Sequence, residues 1–310
     1  MIMYINKKSM QRRKKINKEY LSYTLMSLPF VLFIFFFNYM PLFGWIFAFT
    51  NYKPGRSIKS LKFEGLKYFR YIITFWNDIS NALVNTIALS LLSLLASVLP
   101  VLFALLLNEL YSRNYKKLIQ TVVTLPHFVS WIIIYSLCFA LFSTNGMVNT
   151  CLSLLGTESK INLLGNADKS WMFMTGLDIW KNTGWNSIIY LAAIAGIDEA
   201  LYDAANVDGA GRLQRIIHVT LPGMVPTFIV LMILKIGNLL NLGMEKYLLF
   251  SNTITYPKLE VLDMLTYRMG IGSQQYSFAT AVGIIKSIVS ILLLRGANTI
   301  AKKIGTEGIL

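Results

Sequence analysis

The sequence predicts an all-α integral membrane protein with six transmembrane helices. Hydrophobic residues fill 55% of the 310 positions and charged residues only 14%, and the mean hydropathy is +0.54. The apolar residues form runs of the length that crosses a hydrocarbon core of about 30 Å. Basic residues lie between the runs, which is typical of proteins whose loops set their membrane topology. The predicted spans are residues 21–50, 81–107, 118–142, 171–197, 224–240 and 278–294.

The basic residues predict which side of the membrane each end faces. Residues 1–20 hold seven Lys and Arg residues, so the positive-inside rule predicts a cytoplasmic N-terminus. A signal peptide is the alternative, but residues 21–50 are too long for its apolar part and lack a small-residue cleavage site. Six crossings place the C-terminus, with Lys302 and Lys303, in the cytoplasm as well. The predicted divisions are a cytoplasmic basic segment, a six-span membrane domain and a cytoplasmic tail, at residues 1–20, 21–303 and 304–310.

This topology makes residues 51–80, 143–170 and 242–275 outside loops. The first loop alone carries six Lys and Arg residues, so the charge bias between the two sides is weak. Residues 65–75 combine aromatic and basic side chains in a pattern typical of a helix that lies at the membrane interface. The second loop is expected to include a short helix that does not cross.

Composition and missing motifs exclude several function classes. The net charge of +14 could suggest nucleic acid, but the basic residues flank apolar spans, so the lipid bilayer is the expected partner and nucleic acid is not. Cys138 and Cys151 form no C-x-x-C pair, which argues against a disulfide framework or a thiol metal site. Phosphate-loop and H-E-x-x-H motifs are absent, so any ATP hydrolysis would belong to a partner.

The predicted fourth span, residues 171–197, is unusually polar. Asp178, Lys181 and Asn182 follow each other at helical spacings and share one face, on which Trp185 also lies. Charged groups at membrane depth generally face a cavity, so this face is a candidate surface for sugar binding or translocation. An aromatic belt, with a helix that begins later, is the alternative. The candidate substrate-path residues are Asp178, Trp180, Lys181, Asn182, Trp185, Asn186, Lys235 and Asn238.

Three basic side chains in other spans need an explanation. Lys235 would cost roughly 3 kcal/mol at a helix centre, so it is expected to face the pore, snorkel outward or pair with Asp178. Lys286 is either a second pore residue or evidence that the last helix begins earlier. His127 is a candidate proton relay or ligand, or a structural histidine beside the kink at Pro126.

Residues 203–222 are polar and rich in small residues, although they lie between long apolar segments. Gly196 breaks the preceding run, Asp198 is a good N-cap, and Glu199 favours the positive end of a helix dipole, so a short helix is predicted here. Its alanines and glycines leave a bare surface that another protein's backbone can approach. Pro222 ends this helix or opens the next one at its first turn. An ordinary surface helix in a loop is the alternative.

The spacing in this segment resembles the EAA signature of binding-protein-dependent ABC importer permeases, E-A-A-x3-G-x9-I-x-L-P. Asp203 replaces the usual Glu and Val219 the usual Ile, and both replacements keep the chemistry. In that family the segment is a cytoplasmic coupling helix that docks in a cleft of the ATP-hydrolysing subunit. The resemblance therefore implies an importer permease (MetI-like) fold with a coupling segment at residues 198–222. Its candidate coupling residues are Asp203, Ala204, Ala205, Asp208, Gly209, Arg212, Leu221 and Pro222.

Other segments resemble the oligosaccharide and polysaccharide branch of the maltose-type permeases. They are residues 39–54, 102–110, 120–134, 179–198 and 276–287, so the resemblance covers nearly the whole chain after residue 20. It implies a subunit that imports sugars by alternating access in a bacterial plasma membrane. It also implies a second homologous permease subunit, two ABC ATPase subunits that bind ATP and Mg, and an extracytoplasmic solute-binding protein.

Alternative functions stay open at the level of sequence. Other EAA permeases carry non-sugar solutes, although Trp180 and Trp185 favour a sugar. The charged residues in the spans also fit a transporter driven by an ion gradient. An integral membrane enzyme has the weakest support, because no nucleophile with a base and no paired metal ligands occur at helical spacing. We expect no catalytic residue, metal or cofactor on this chain.

Overall fold

The computed structural model describes residues 19–55, 61–156 and 161–303. Within these ranges the chain is helical, and its strand-like pairing is one isolated antiparallel bridge between Thr50 and Phe63. Residues 1–18, with the basic residues that set the predicted orientation, lie outside the described residues, as does the predicted tail 304–310.

Six long helical stretches account for most of the described chain. Five are long and apolar enough to cross a membrane: Glu19–Phe49, Trp76–Asn108, Trp131–Leu154, Arg212–Gly237 and Tyr276–Lys303. The sixth, Ser170–Ala195, has 26 residues and is therefore about 39 Å long, but it is more polar. The all-α, multi-pass architecture predicted from the sequence is confirmed.

The helices are labelled in chain order. They are α1 (Glu19–Phe49), α2 (Lys67–Thr74), α3 (Trp76–Ala96), α4 (Val98–Asn108), α5 (Arg113–Thr124), α6 (Trp131–Phe142), α7 (Met147–Leu154), α8 (Ser170–Ala195), α9 (Glu199–Val207), α10 (Arg212–Arg215), α11 (Leu221–Gly237), α12 (Glu245–Phe250), α13 (Tyr256–Leu259), α14 (Leu262–Tyr267) and α15 (Tyr276–Lys303). Helix α1 passes through a π turn at Phe35–Tyr39 and ends as a 3₁₀ helix at Met40–Phe49.

The predicted third span, residues 118–142, is broken in the structure. Helix α5 ends at Thr124, Leu125–Phe128 forms a 3₁₀ turn with a proline in its first turn, and Val129 and Ser130 are extended. Proline removes a backbone donor and disfavours a helical conformation at the residue before it, so the α-helical ladder is interrupted at this point. The apolar stretch long enough to cross therefore begins at Trp131, thirteen residues later than predicted.

The predicted outside loop, residues 242–275, contains some of the most buried side chains of the protein. Tyr247, Val261 and Leu265 are at most 1% exposed, and the segment folds into α12, α13, α14 and a π turn. Asn85 in α3 donates to the carbonyls of Pro257 and Glu260 at 2.9 and 3.0 Å. The predicted loop is thus a folded part of the protein core, because polar side chains on α3 satisfy the backbone of a segment that inserts into the bundle.

Helix α8 runs through the bundle and connects its two ends. At one end the Trp171 indole donates to the carbonyl of Lys258, which follows Pro257 in α13, at 2.7 Å. At the other end α8 leads through Gly196 into α9. In its middle, Gly184 lies so close to α5 that a Cβ atom there would be 2.3 Å from the Val123 carbonyl oxygen. This close approach brings the broken segment 125–130 against the polar face of α8.

Candidate functional site

A cavity of about 450 Å³ lies between the α3–α4 junction, α8 and α11. We call it the central cavity. Its apolar lining includes Tyr190, Phe228 and Met232, and its polar lining provides both donors and acceptors of hydrogen bonds. A concave site of this size and mixed chemistry is typical of small-molecule binding. Its polar lining residues are Ser93, Ser97, Thr175, Asp178, Asn182, Thr183, Asn186, Lys235 and Lys246.

A second cavity, of about 490 Å³, adjoins the first and lies beside the loop between α11 and α12. We call it the loop cavity. Asp178, Asn182 and Lys246 line both cavities, so these side chains lie between the two spaces. The other lining residues of the loop cavity are His127, Trp131, Lys181, Leu242, Gly243, Met244 and Glu245.

Asp178 is held by Lys246, which the sequence analysis did not single out. The Lys246 ammonium group forms an ion pair with the Asp178 carboxylate, and the two side chains are 12% and 23% exposed. Pairing with Asp178 was one of the three options for Lys235, and that option was wrong. Lys246 lies at the first turn of α12, inside a segment predicted to be an outside loop, so its proximity to α8 arises only from the tertiary fold.

Lys181 does not present its charge to a substrate, although it lies at the wall of the loop cavity. Its ammonium group donates to the carbonyls of Pro126, His127 and Val129, at 3.2, 2.8 and 2.5 Å. An ammonium group has three N–H donors, so all of them are used. The side chain, 7% exposed, thus donates to backbone carbonyls at the helix break.

Lys235 lines the central cavity and has a different environment. Its ammonium group donates to the backbone carbonyl of Ser93 at 2.5 Å, and no described carboxylate lies within ion-pairing distance. It occupies the last turn of α11, where the helix dipole favours a positive charge. Asn238 lies outside the two cavities and donates to Leu234 in its own helix at 3.0 Å. Lys286 pairs with Asp263 and lines neither cavity, and its helix begins at Tyr276, earlier than predicted.

The aromatic residues of the site are not those expected to stack on a sugar. Trp180 and Trp185 are 46% and 41% exposed and do not line the two cavities, whereas Trp131 lines the loop cavity. Trp185 stacks on the His127 ring with centroids 4.5 Å apart. His127 also shares a hydrogen bond with Asn182 at 3.0 Å through its Nδ1 atom. The kink at Pro126 places His127 there, which fits a structural role at the cavity wall.

The candidate coupling segment, residues 198–222, forms a helical hairpin that follows the C-terminal end of α8, and we call it the α9 hairpin. Asp198 caps α9 by accepting from the Ala200 N–H at 3.0 Å, as its position predicted. The chain then turns at Gly209, whose φ of +75° is a conformation that side chains rarely tolerate. Tyr202 and Thr220 share a hydrogen bond at 2.9 Å, which ties α9 to the next helix. The hairpin exposes the motif residues Asp203, Ala204, Asp208, Gly209 and Arg212, with Ala205 partly buried.

Leu221 and Pro222 lie in the first turn of α11, which was one of the two predicted options for Pro222, but α11 continues without a break from α10. Helical structure begins at Arg212 and continues to Gly237 through a π turn at Ile216–Thr220. The π turn ends two residues before Pro222, and such turns accommodate a proline that cannot donate to the helical ladder. The fifth spanning helix therefore begins twelve residues before the predicted start at residue 224.

Comparison with known proteins gives a consistent result over most of the chain. Residues 96–305 match the model of a family described as binding-protein-dependent transport system inner membrane component. A Bacillus subtilis (strain 168) protein, Protein LplB, is 42% identical over 288 residues, 92% of this chain and 90% of that protein. The polygalacturonan/rhamnogalacturonan transport system permease protein YteP of the same strain is 40% identical over 310 residues, 98% and 95% of the two chains.

A solved structure has the same fold over nearly the whole length. It is a chain of a bacterial alginate ABC transporter, crystallised in complex with an alginate pentasaccharide-bound periplasmic protein. Its TM-score is 0.84, its sequence identity is 35%, and the match covers 96% of this chain and 99% of that one.

Proposed function

The chain belongs to the family of binding-protein-dependent transport system inner membrane components, and we propose that it is the permease subunit of an ABC importer for sugars. The cargo is an oligosaccharide or a polysaccharide fragment. Two relatives support this cargo, since one is named for polygalacturonan and rhamnogalacturonan transport and the other carries alginate. An extracytoplasmic solute-binding protein delivers the sugar, as the periplasmic protein in the alginate transporter complex suggests.

The chemistry of the central cavity supports a sugar ligand. Sugars offer many hydroxyl groups, and the cavity offers amides and hydroxyls from Asn182, Thr183, Asn186 and Ser97. Apolar side chains such as Phe228 cover the remaining wall and can pack against the C–H faces of a sugar ring. The charges that suggested an ion-gradient mechanism have other partners, because Asp178 pairs with Lys246 and Lys286 pairs with Asp263.

The observation that carries the proposal is the direct connection between the cavity and the α9 hairpin. Helix α8 supplies Asp178, Asn182 and Asn186 to the central cavity and continues, after Gly196, into the hairpin that bears the EAA-like motif. In the proposed mechanism the hairpin docks on an ABC ATPase subunit, and its movement on ATP binding reorients α8. The sugar then becomes accessible from the opposite side of the membrane.

The remaining subunits follow from this mechanism. Two ATPase subunits bind ATP and Mg, and a second homologous permease subunit completes the path through the membrane. The α9 hairpin faces the cytoplasm, both termini lie on that side, and the α12–α14 segment faces the solute-binding protein. The chain itself performs no ATP hydrolysis.

Gly209 provides a test of the coupling role. Gly209→Val forces a β-branched side chain into a positive φ, at a cost of roughly 1–2 kcal/mol, whereas Gly209→Asn places there a residue that tolerates this conformation. Both variants leave the membrane helices unchanged. In proteoliposomes with the complete complex, we expect Gly209→Val to lower sugar uptake per ATP hydrolysed severalfold and Gly209→Asn to keep it near normal. Equal, normal coupling in both variants would contradict the assignment of the hairpin.

A further inference from the structure

We propose that the imported sugar carries a carboxylate group and that Lys235 is the residue that selects for it. This inference rests on the proposed function, since it names the substrate class of the same cavity. It starts from the charges that line the central cavity, which are Asp178, Lys235 and Lys246. The pair between Asp178 and Lys246 is internally neutral, so the cavity retains one positive charge, on Lys235.

The Lys235 ammonium group has hydrogen-bonding capacity to spare. Its described hydrogen bond goes to the carbonyl of Ser93, and an ammonium group offers three donors. Its neighbour Lys181 differs in this respect, because three backbone carbonyls occupy all of its donors. Lys246 has spare donors as well, but Asp178 already compensates its charge, so among the described residues that line the central cavity Lys235 is the cation without a carboxylate partner.

Because the Lys235 side chain is partly buried, the charge of the ligand group that contacts it affects the binding energy. Lys235 is partly buried among Ser93, Met232 and other walls of a cavity at membrane depth, where a charge without a counterion is costly. A hydroxyl of a neutral sugar can accept from the ammonium group but leaves the charge uncompensated. A carboxylate on a sugar ring accepts the same hydrogen bond and neutralises the charge, and charge-assisted bonds are the stronger ones.

The loop cavity would not bind an acidic group equally well. Its charged lining consists of Lys181 and Lys246 with Asp178 and Glu245, which sum to zero. All donors of Lys181 are occupied and Glu245 is exposed, so a carboxylate ligand there would gain no hydrogen bond from Lys181 and would meet an exposed negative charge. The carboxylate is therefore expected in the central cavity, beside Lys235, with the neutral hydroxyls contacting Asn182 and Asn186.

The test compares acidic trisaccharides with neutral counterparts of the same shape. The probes are trisaccharides of galacturonate, mannuronate and glucuronate, each paired with its carboxyl-reduced form. Binding is measured by calorimetry on the permease–ATPase complex in nanodiscs without a solute-binding protein, so that any selectivity belongs to the cavity. We expect at least one acidic probe to bind about tenfold or more tightly than its neutral form, as one charge-assisted bond requires.

Variants identify the residue responsible. Lys235→Met keeps the aliphatic stem, and we expect it to bring the acid-to-neutral affinity ratio close to one, while Lys235→Arg preserves a ratio above about threefold. Asn186→Ala is the matched control in the same cavity, and it should weaken acidic and neutral probes alike. A ratio near one in the unaltered complex, or a ratio that survives Lys235→Met, overturns this inference and leaves the proposed sugar import intact. Absence of binding and uptake for every sugar overturns both.

Discussion

The contact between Gly184 and α5 yields the sharpest quantitative prediction. A Cβ atom at Gly184 would lie 2.3 Å from the Val123 oxygen, 2.5 Å from its carbonyl carbon and 2.8 Å from the Thr124 nitrogen. Carbon atoms in comfortable contact lie about 3.5–4.0 Å apart, so Gly184→Ala forces α8 and α5 apart by roughly 1 Å. The clashing atoms are all backbone, so no side-chain rotation relieves the clash.

The same helix contains a matched control. Gly176 also lies inside α8, and a Cβ atom there would meet nothing within 4 Å. Both Gly→Ala changes gain about 1 kcal/mol of helix propensity, so the difference between them isolates the clash. Overpacking of this kind costs about 1–3 kcal/mol. We expect Gly184→Ala to unfold at a temperature about 4 °C below that of Gly176→Ala.

Two quantities are measured. Size-exclusion chromatography after heating monitors thermal unfolding of the purified complex, and proteoliposomes report sugar uptake. Uptake should also fall in Gly184→Ala, because the displaced α5 leads directly into the broken segment 125–130, whose carbonyls Lys181 binds. Gly176→Ala should retain uptake. If the two variants unfold at the same temperature, the close packing of α8 against α5 is not present in the protein.

Three further predictions concern other parts of the chain. Asp198→Ala removes the side-chain cap of α9, which is worth about 1 kcal/mol locally, so we expect sugar uptake per ATP hydrolysed to fall. Asp198→Asn retains a capping side chain and should keep this ratio near normal. The same ratio in both variants would contradict the capping role. Glu260→Gln leaves Arg268 without the carboxylate that lies 2.8 Å from its Nε atom. Because Arg268 is partly exposed, we expect the free energy of unfolding to fall by only about 2 kcal/mol. An unchanged midpoint of thermal unfolding would refute this. Burial and the hydrogen bond to Glu260 raise the pKa of Tyr256, so its contribution to stability should be lost as the pH rises above about 10, and Tyr256→Phe should flatten the fall in the unfolding midpoint above that pH.

The candidate site could be predicted in part because helical spacing is a local property. The spacing predicted one face of α8 with Asp178, Lys181, Asn182 and Trp185, and of these Asp178 and Asn182 line the central cavity. Asn186, a separate candidate for the substrate path, lines it as well. Facing the pore was one of the three options for Lys235, and the side chain lines the central cavity. Trp185 was expected on the same face but stacks on His127 outside the two cavities, because the broken segment packs against that end of the face.

The partners of the charged groups could not be predicted, since they come from distant parts of the chain. Lys246 reaches Asp178 across 68 residues, and Lys181 reaches the carbonyl of Val129 across 52. The second of these contacts exists only because Pro126 breaks a run that looks like one continuous span. A hydropathy value averaged over a window of residues includes both sides of such a break, so it does not reveal the break.

Local sequence patterns were enough to predict the class of protein, the number of long helices and the position of the α9 hairpin. These depend on composition, apolar run length and capping residues, which act over a few neighbouring positions. The packing of residues 242–275 into the bundle, and the place of Lys235 in the wall of the central cavity with no carboxylate partner among the described residues, became visible only in the folded chain. Both outcomes depend on which distant polar groups meet, since a buried donor or charge takes whichever partner the packed helices bring within reach.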